Sequence, residues 1–153
     1  SLSTCGVVDK IYKLMERNLQ ITLSISLHAP FNEMRDTIMP INKRYNIDEL
    51  ITACKKYTDT TGRRISFEYA LIKGFNDTPE CALKLKELLN GIIAHVNLIP
   101  ANPVHKDKFV KPDKKVVYAF CDRLNNLGLN ATVRRTLGSD IDASCGQLRQ
   151  KHK

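Results

Sequence analysis

ITLSISLHAP, Ile21 to Pro30, alternates apolar and polar side chains and ends at a proline. β-branched and leucine residues at period two read as a strand. Successive strand side chains point to opposite faces. Leu23, Ile25 and Leu27 therefore share one face, and Thr22, Ser24, Ser26 and His28 share the other. The same pattern returns in RRISFEYALIKG, Arg63 to Gly74, where Ile65, Phe67, Tyr69 and Leu71 oppose Ser66, Glu68 and Ala70. It returns again in AHVNLIPANP, Ala94 to Pro103, with Val96 and Leu98 opposite His95 and Asn97. NATVRRT, Asn130 to Thr136, reads as a last short strand.

Helical patterns fill the gaps. Leu50, Ile51, Cys54 and Tyr57 recur at helical spacing, with Asn46 as cap and Gly62 as stop. Thr78 and Pro79 open a second helix that ends near Gly91. Val116, Val117, Phe120, Leu124 and Leu127 form the apolar side of a third, over Lys111 to Gly128. Alternation of strand and helix predicts an α/β fold with a parallel sheet or barrel. The opening SLSTCGVVDKIYKLMERN, Ser1 to Asn18, reads as the end of a strand running into a helix, as in a piece of a larger α/β protein.

The chain has 153 residues, 42% hydrophobic and 26% charged, as expected of one ordinary globular domain spanning 1–153. No apolar run approaches the roughly 20 residues of a membrane helix, so no membrane partner is expected. Five cysteines, Cys5, Cys54, Cys81, Cys121 and Cys145, lie 24 or more residues apart and match no metal-ligand spacing. An odd count without a secretion signal points to reduced thiols and a cytoplasmic protein. The net charge of +8 suits a polyanionic partner such as RNA, or a merely basic surface.

A parallel sheet covered on both sides normally reads as continuous apolar strands. Here one face is polar, which suits the lining of a cavity for a polar ligand. Barrel ligands gather at the carboxyl ends of strands, which puts Ser3, Thr4, Ser26, His28 and Asn102 on one rim. Each also has a plain structural reading: Ser26 as a small residue, His28 and Asn102 as turn residues. Cys145, in SDIDASCGQ, is either a packed thiol or a working one. Nothing in the periodicity of that segment buries it, and Gly146 permits a tight turn beside the sulfur.

LSTCG, SISLHAPFNEMRDTIMPINKRYNIDEL, GRRISFEYALIKGFND, HVNLIPANP and VRRTLGSDIDASCGQLR together resemble the carboxyl-terminal half of the RlmN/Cfr family, the radical S-adenosylmethionine RNA methyltransferases. The resemblance implies a partial (β/α) barrel, here only its carboxyl-terminal half. It implies methylation of an adenosine ring carbon of 23S rRNA, carbon 2 in the RlmN branch, which also acts on tRNA, or carbon 8 in the Cfr branch. By the same resemblance Cys145 is the methyl-carrying cysteine, and Ser3, Ser26, Leu27, His28 and Asn102 bind S-adenosylmethionine. The family uses one cofactor molecule to methylate the cysteine. A second, cleaved at a [4Fe-4S] cluster with electrons from a flavodoxin or ferredoxin, makes the radical that activates the S-methyl group. A second cysteine then releases the RNA adduct, and a disulfide belongs to the family's features.

The family's C-x3-C-x2-C cluster motif is absent, so the resemblance places the cluster, the resolving cysteine and the glycine-glutamate cofactor motif upstream of this chain. The expectation is no metal site here and no activity of the chain alone. Lys43 and Arg44 in PINKRY, and Arg134 and Arg135, are the basic groups nominated for RNA phosphates; of the last pair at most one should face the site. Two other classes stay open: a non-catalytic RNA-binding module, and a cysteine hydrolase with His28 as base.

Overall fold

The computed structural model describes residues 1–101 and 110–135. Within them the order is β1 (Leu2–Thr4), α1 (Val8–Glu16), β2 (Leu23–Ser26), α2 (Asn32–Ile38), a 3-10 turn (Pro40–Lys43), α3 (Ile47–Thr61), β3 (Ile65–Leu71), α4 (Pro79–Leu89), β4 (Ala94–Pro100), α5 (Lys114–Asn126) and β5 (Ala131–Val133). The five strands form one sheet in the order β1-β2-β3-β4-β5, every neighbouring pair parallel. Crossovers between parallel strands are right-handed. With a strand order that never reverses, they all fall on the same side, so helices cover one face only. This is an arc of a barrel, open at β1 and β5 among the described residues.

The alternation read from the sequence is the division between the two faces. Leu23, Ile25, Leu27, Ile65, Phe67, Tyr69, Leu71, Val96 and Leu98 are buried beneath the helices. Ile11, Leu50, Ala53, Tyr57, Leu85, Val117, Phe120 and Leu124 meet them from the other side. Tyr69 stacks on Phe120 with ring centroids 5.8 Å apart, and its hydroxyl donates to the Asn76 carbonyl at 2.8 Å.

The helix ends follow the caps. Asn46 and Glu49 form a reciprocal capping box at α3, and Gly62 ends that helix in the left-handed region at φ +66°. Thr78 caps α4 by accepting from the Cys81 amide. Strand limits are shorter than the alternation suggests: β2 stops at Ser26 and β4 at Pro100, while β5 covers only Ala131–Val133. Past Ser26 the backbone leaves the extended region, with His28 at φ +60°. α2 and the 3-10 turn are additions to the sequence reading. Pro40 opens the second of these two short pieces, and neither carries a periodic apolar stripe long enough to announce a helix.

Candidate functional site

Register turns the polar face into rows. Ser3, Ser24, Ser66 and His95 align across four strands, and Ser26, Glu68, Asn97 and Thr132 align in the next row. Glu68 is the centre of the second row. Its Oε1 accepts from the Ser66 hydroxyl at 3.2 Å and its Oε2 from the Asn97 amide at 2.8 Å. His95 Nε2 and the Thr132 hydroxyl are 2.9 Å apart. Among the described residues the ion pairs are Lys55–Asp59 and Lys84–Glu87, so no cation there neutralises Glu68. The face thus presents hydroxyls, an amide and an unneutralised carboxylate.

The rim above the second row is tightly held. His28 Nδ1 lies 2.9 Å from the Ala70 amide, which can only donate. Nδ1 therefore accepts, and the ring proton of the neutral imidazole sits on Nε2. Burial, and secondarily the charge of Arg35, lower the His28 pKa from 6.5 to about 4. At neutral pH His28 is a fixed hydrogen-bond donor with no free ring lone pair. That geometry argues against its use as a general base, and with it the hydrolase reading. Asn76, wholly buried, donates to the His28 carbonyl at 2.8 Å and the Ala70 carbonyl at 2.7 Å, and accepts from the Ile72 amide at 2.7 Å.

The nominated residues divide. Ser26 and His28 come together at the carboxyl end of β2. Leu27 lies between them, but its side chain is fully buried on the apolar face. Its amide donates to the Glu68 carbonyl and its own carbonyl accepts from Arg35. Ser3 is exposed on the edge strand, aligned with Ser24 rather than Ser26. It borders a cleft of about 200 Å³ between β1 and α1, lined also by Leu2, Lys10, Ile11 and Leu14. Thr4 leaves the rim: it aligns with Ile25 on the helix-covered side, and its hydroxyl accepts from the Gly6 amide. Asn102 and Cys145 lie outside the described residues.

Lys43, Arg44, Arg134 and Arg135 are all exposed. Arg44 packs over the Tyr45 ring at 5.3 Å, and Tyr45 hydrogen-bonds Asp9 on α1. Arg134 instead continues β5, donating to the Leu98 carbonyl at 2.8 Å. The first pair thus sits beside α1, and the second at the β5 end of the sheet. Among the described residues no three His, Cys, Asp or Glu side chains converge as a metal site. Cys5, Cys54, Cys81 and Cys121 are free thiols, so the expected disulfide is not found among them. Burial raises the Cys54 pKa to about 12, which leaves that thiol inert at neutral pH.

The sequence reading did not nominate Arg35, Asn42, Asn76 or Glu68 as site residues. For Glu68 a signal existed, since it sits on the same face as Ser66 in the strand pattern. For the other three none did: Arg35 and Asn76 bond partners 30 and 48 residues away, and Asn42 is held in a turn that no periodic pattern announces.

No family model matches the chain. A curated protein of Clostridium acetobutylicum named "Probable dual-specificity RNA methyltransferase RlmN" is 54% identical over 152 residues, 99% of this chain and 44% of that protein. One of the same name from Desulforamulus reducens is 50% identical over 153 residues, all of this chain and 44% of the relative. The crystal structure of a radical S-adenosylmethionine methyltransferase from Sphaerobacter thermophilus superposes with a TM-score of 0.91 at 46% identity, over 95% of this chain and 42% of that one. A domain of a pyruvate-formate lyase-activating enzyme from Bacteroides vulgatus shares the fold alone, with a TM-score of 0.66 at 19% identity over 87% of this chain and 79% of that domain.

The open parallel sheet is therefore a partial barrel of the radical S-adenosylmethionine class. Over its whole length the chain matches part of curated proteins that carry the RlmN name. It spans a little under half of their length.

Proposed function

We propose that residues 1–153 form one domain, the carboxyl-terminal portion of a radical methyltransferase. It contributes part of the S-adenosylmethionine site and the methyl-carrying Cys145 to methylation of adenosine carbon 2 in 23S rRNA and tRNA. The observation that carries this reading is the polar inner row Ser26–Glu68–Asn97–Thr132 beneath the His28 rim.

The residues present suit the cofactor. S-adenosylmethionine is a cation with a diol and an adenine, and it supplies both a transferable methyl group and, after reductive cleavage, a radical. An unneutralised carboxylate favours a cation. The Ser26 hydroxyl and the His28 Nε2–H would bond sugar or base atoms, with Ser3 and Asn102 as further contacts. Leu27 takes part only through its backbone, as the spacer that sets Ser26 and His28 apart. Cys145 offers a thiol to carry carbon to the RNA. An electron-poor ring carbon cannot readily attack a sulfonium methyl directly, so a thiol relay answers a chemical need.

The described residues do not fit a [4Fe-4S] cluster, and we assign its ligands, the resolving cysteine and any disulfide formed with it to the part of the relatives that this chain does not span. A flavodoxin or ferredoxin would deliver the electrons, in the cytoplasm. Lys43, Arg44, Arg134 and Arg135 would meet RNA phosphates as two separate anchoring points. The RlmN name of the relatives favours carbon 2 over carbon 8.

The test uses the full-length protein, anaerobically reconstituted, with methyl-labelled cofactor and a 23S rRNA fragment. Mass analysis of the digested nucleosides should show the label on adenine carbon 2. Cys145→Ser should abolish that transfer while RNA binding persists. Undiminished transfer in the variant would reject the thiol relay.

A further inference from the structure

Arg35 is fully buried in α2, and arginine is almost never fully buried unless paired. Its Nε donates to the Leu27 carbonyl at 3.1 Å, and its Nη1 to Asn42 Oδ1 at 3.0 Å. Its Nη2 donates to the carbonyls of Cys5, at 2.8 Å, and Ser26, at 3.0 Å. No carboxylate forms an ion pair with it among the described residues. Burying a charge costs several kcal/mol even after relaxation, and an apolar side chain would hold a short helix to the sheet more cheaply. What a rigid planar fork does, and an apolar group cannot, is gather several acceptors at fixed angles.

The acceptors lie at particular places. The β1–β2 ladder ends at the pair Thr4–Ile25, and the β2–β3 ladder at Ser26–Glu68. The carbonyls of Cys5, Ser26 and Leu27 are thus at or just beyond the last paired residues, where neighbouring strands are free to splay. Asn42 keeps the fork aimed. Its amide nitrogen donates to Asp36 Oδ1 at 2.7 Å and to Asn32 Oδ1 at 3.2 Å, while its oxygen receives Arg35. Gly6 turns the chain beside the fork at φ +103°, where a Cβ would crowd Leu50 at 3.1 Å and touch Arg35 Nη2 at 3.4 Å.

We propose that Arg35 is a positioning residue for the S-adenosylmethionine site, locking the carboxyl ends of β1 and β2 together so that Ser3, Ser26 and His28 keep one spacing. This rests on the cofactor reading given above. The guanidinium acts through those segments and touches no ligand itself. Its charge has a second consequence, since it helps keep the neighbouring His28 neutral.

The test is a calorimetric titration of the full-length protein with S-adenosylhomocysteine, which binds without reacting. Arg35→Lys keeps the charge and loses the fork, and it should weaken binding about tenfold, the worth of one or two hydrogen bonds. Leu85→Ala, a core truncation beneath α4, should lower the melting temperature and leave affinity unchanged. Ser26→Ala tests the site itself. Weakening by Arg35→Lys and by Ser26→Ala, but not by Leu85→Ala, is the expected result. Weakening by Ser26→Ala alone would overturn the role of Arg35 and leave the site standing. No change in either would overturn the site and this role with it. Equal weakening by Arg35→Lys and Leu85→Ala would make Arg35 a structural residue only. Should Arg35→Lys not fold, Asn42→Ala, which frees one arm of the fork, should weaken binding about threefold. Unaltered affinity in that variant would also overturn the proposal.

Discussion

His28 brings strain, burial and chemistry to one residue. It adopts a left-handed backbone that non-glycine residues seldom take, and its ring is fixed by the Ala70 amide. Its pKa of about 4 in the fold lies below the ordinary 6.5, so the unfolded chain takes up a proton first. The stability linked to this ring is complete above about pH 6.5, falls as pH drops, and is lost by about pH 4. In His28→Asn, which tolerates the left-handed backbone, urea denaturation should depend less on pH between 7 and 5. A slope equal to that of the unmodified chain would contradict the neutral ring. Asn76 is a second such residue. Asn76→Ala leaves two carbonyls and an amide without their partner, and should cost about 2–4 kcal/mol in urea unfolding. The sequence placed His28 at the rim through strand alternation. It could not place Asn76, whose bond to the His28 carbonyl joins residues 48 apart.

At the scale of elements, local signals sufficed where the element is long or explicitly capped. Asn46 and Gly62 bound α3 as read, Glu49 completes the capping box, and Asn46→Ala should cost about 1 kcal/mol of stability by thermal unfolding. Strand alternation named the buried face of β2, β3 and β4 correctly because only one face is covered. The exact ends of those strands were not legible. β2 ends where the His28 backbone turns over and where Arg35 takes the carbonyls that a ladder would have used. α2 and the 3-10 turn exist for the same tertiary reason. β3 is paired with β4 along its length and with β2 over Ile65–Glu68, whereas β1 is a three-residue edge strand. Amide exchange should accordingly be slowest in β3 and fastest in β1. Comparable protection in the two would contradict the open edge.

For the whole molecule, alternation of strand and helix indicated a parallel sheet, but the strand order could not be read from it. The unreversed order leaves one face bare, and register then assembles Ser26, Glu68, Asn97 and Thr132 into a row. The alternation put Ser26, Glu68 and Asn97 on polar strand faces without showing that they stand abreast, and it assigned Thr132 to no face. Asn102 and Cys145 lie outside the described residues, so their parts rest on the motifs PANP and SCGQL and on the family likeness. The net charge of +8 fits an RNA substrate, and binding should weaken steeply as salt rises, through counterion release. The most direct measurement is the mass of the peptide containing Cys145, released from the full-length protein after anaerobic reconstitution and exposure to S-adenosylmethionine. A single added methyl group on that sulfur is the predicted result. An unmodified Cys145 in protein shown to carry its cluster would contradict the account.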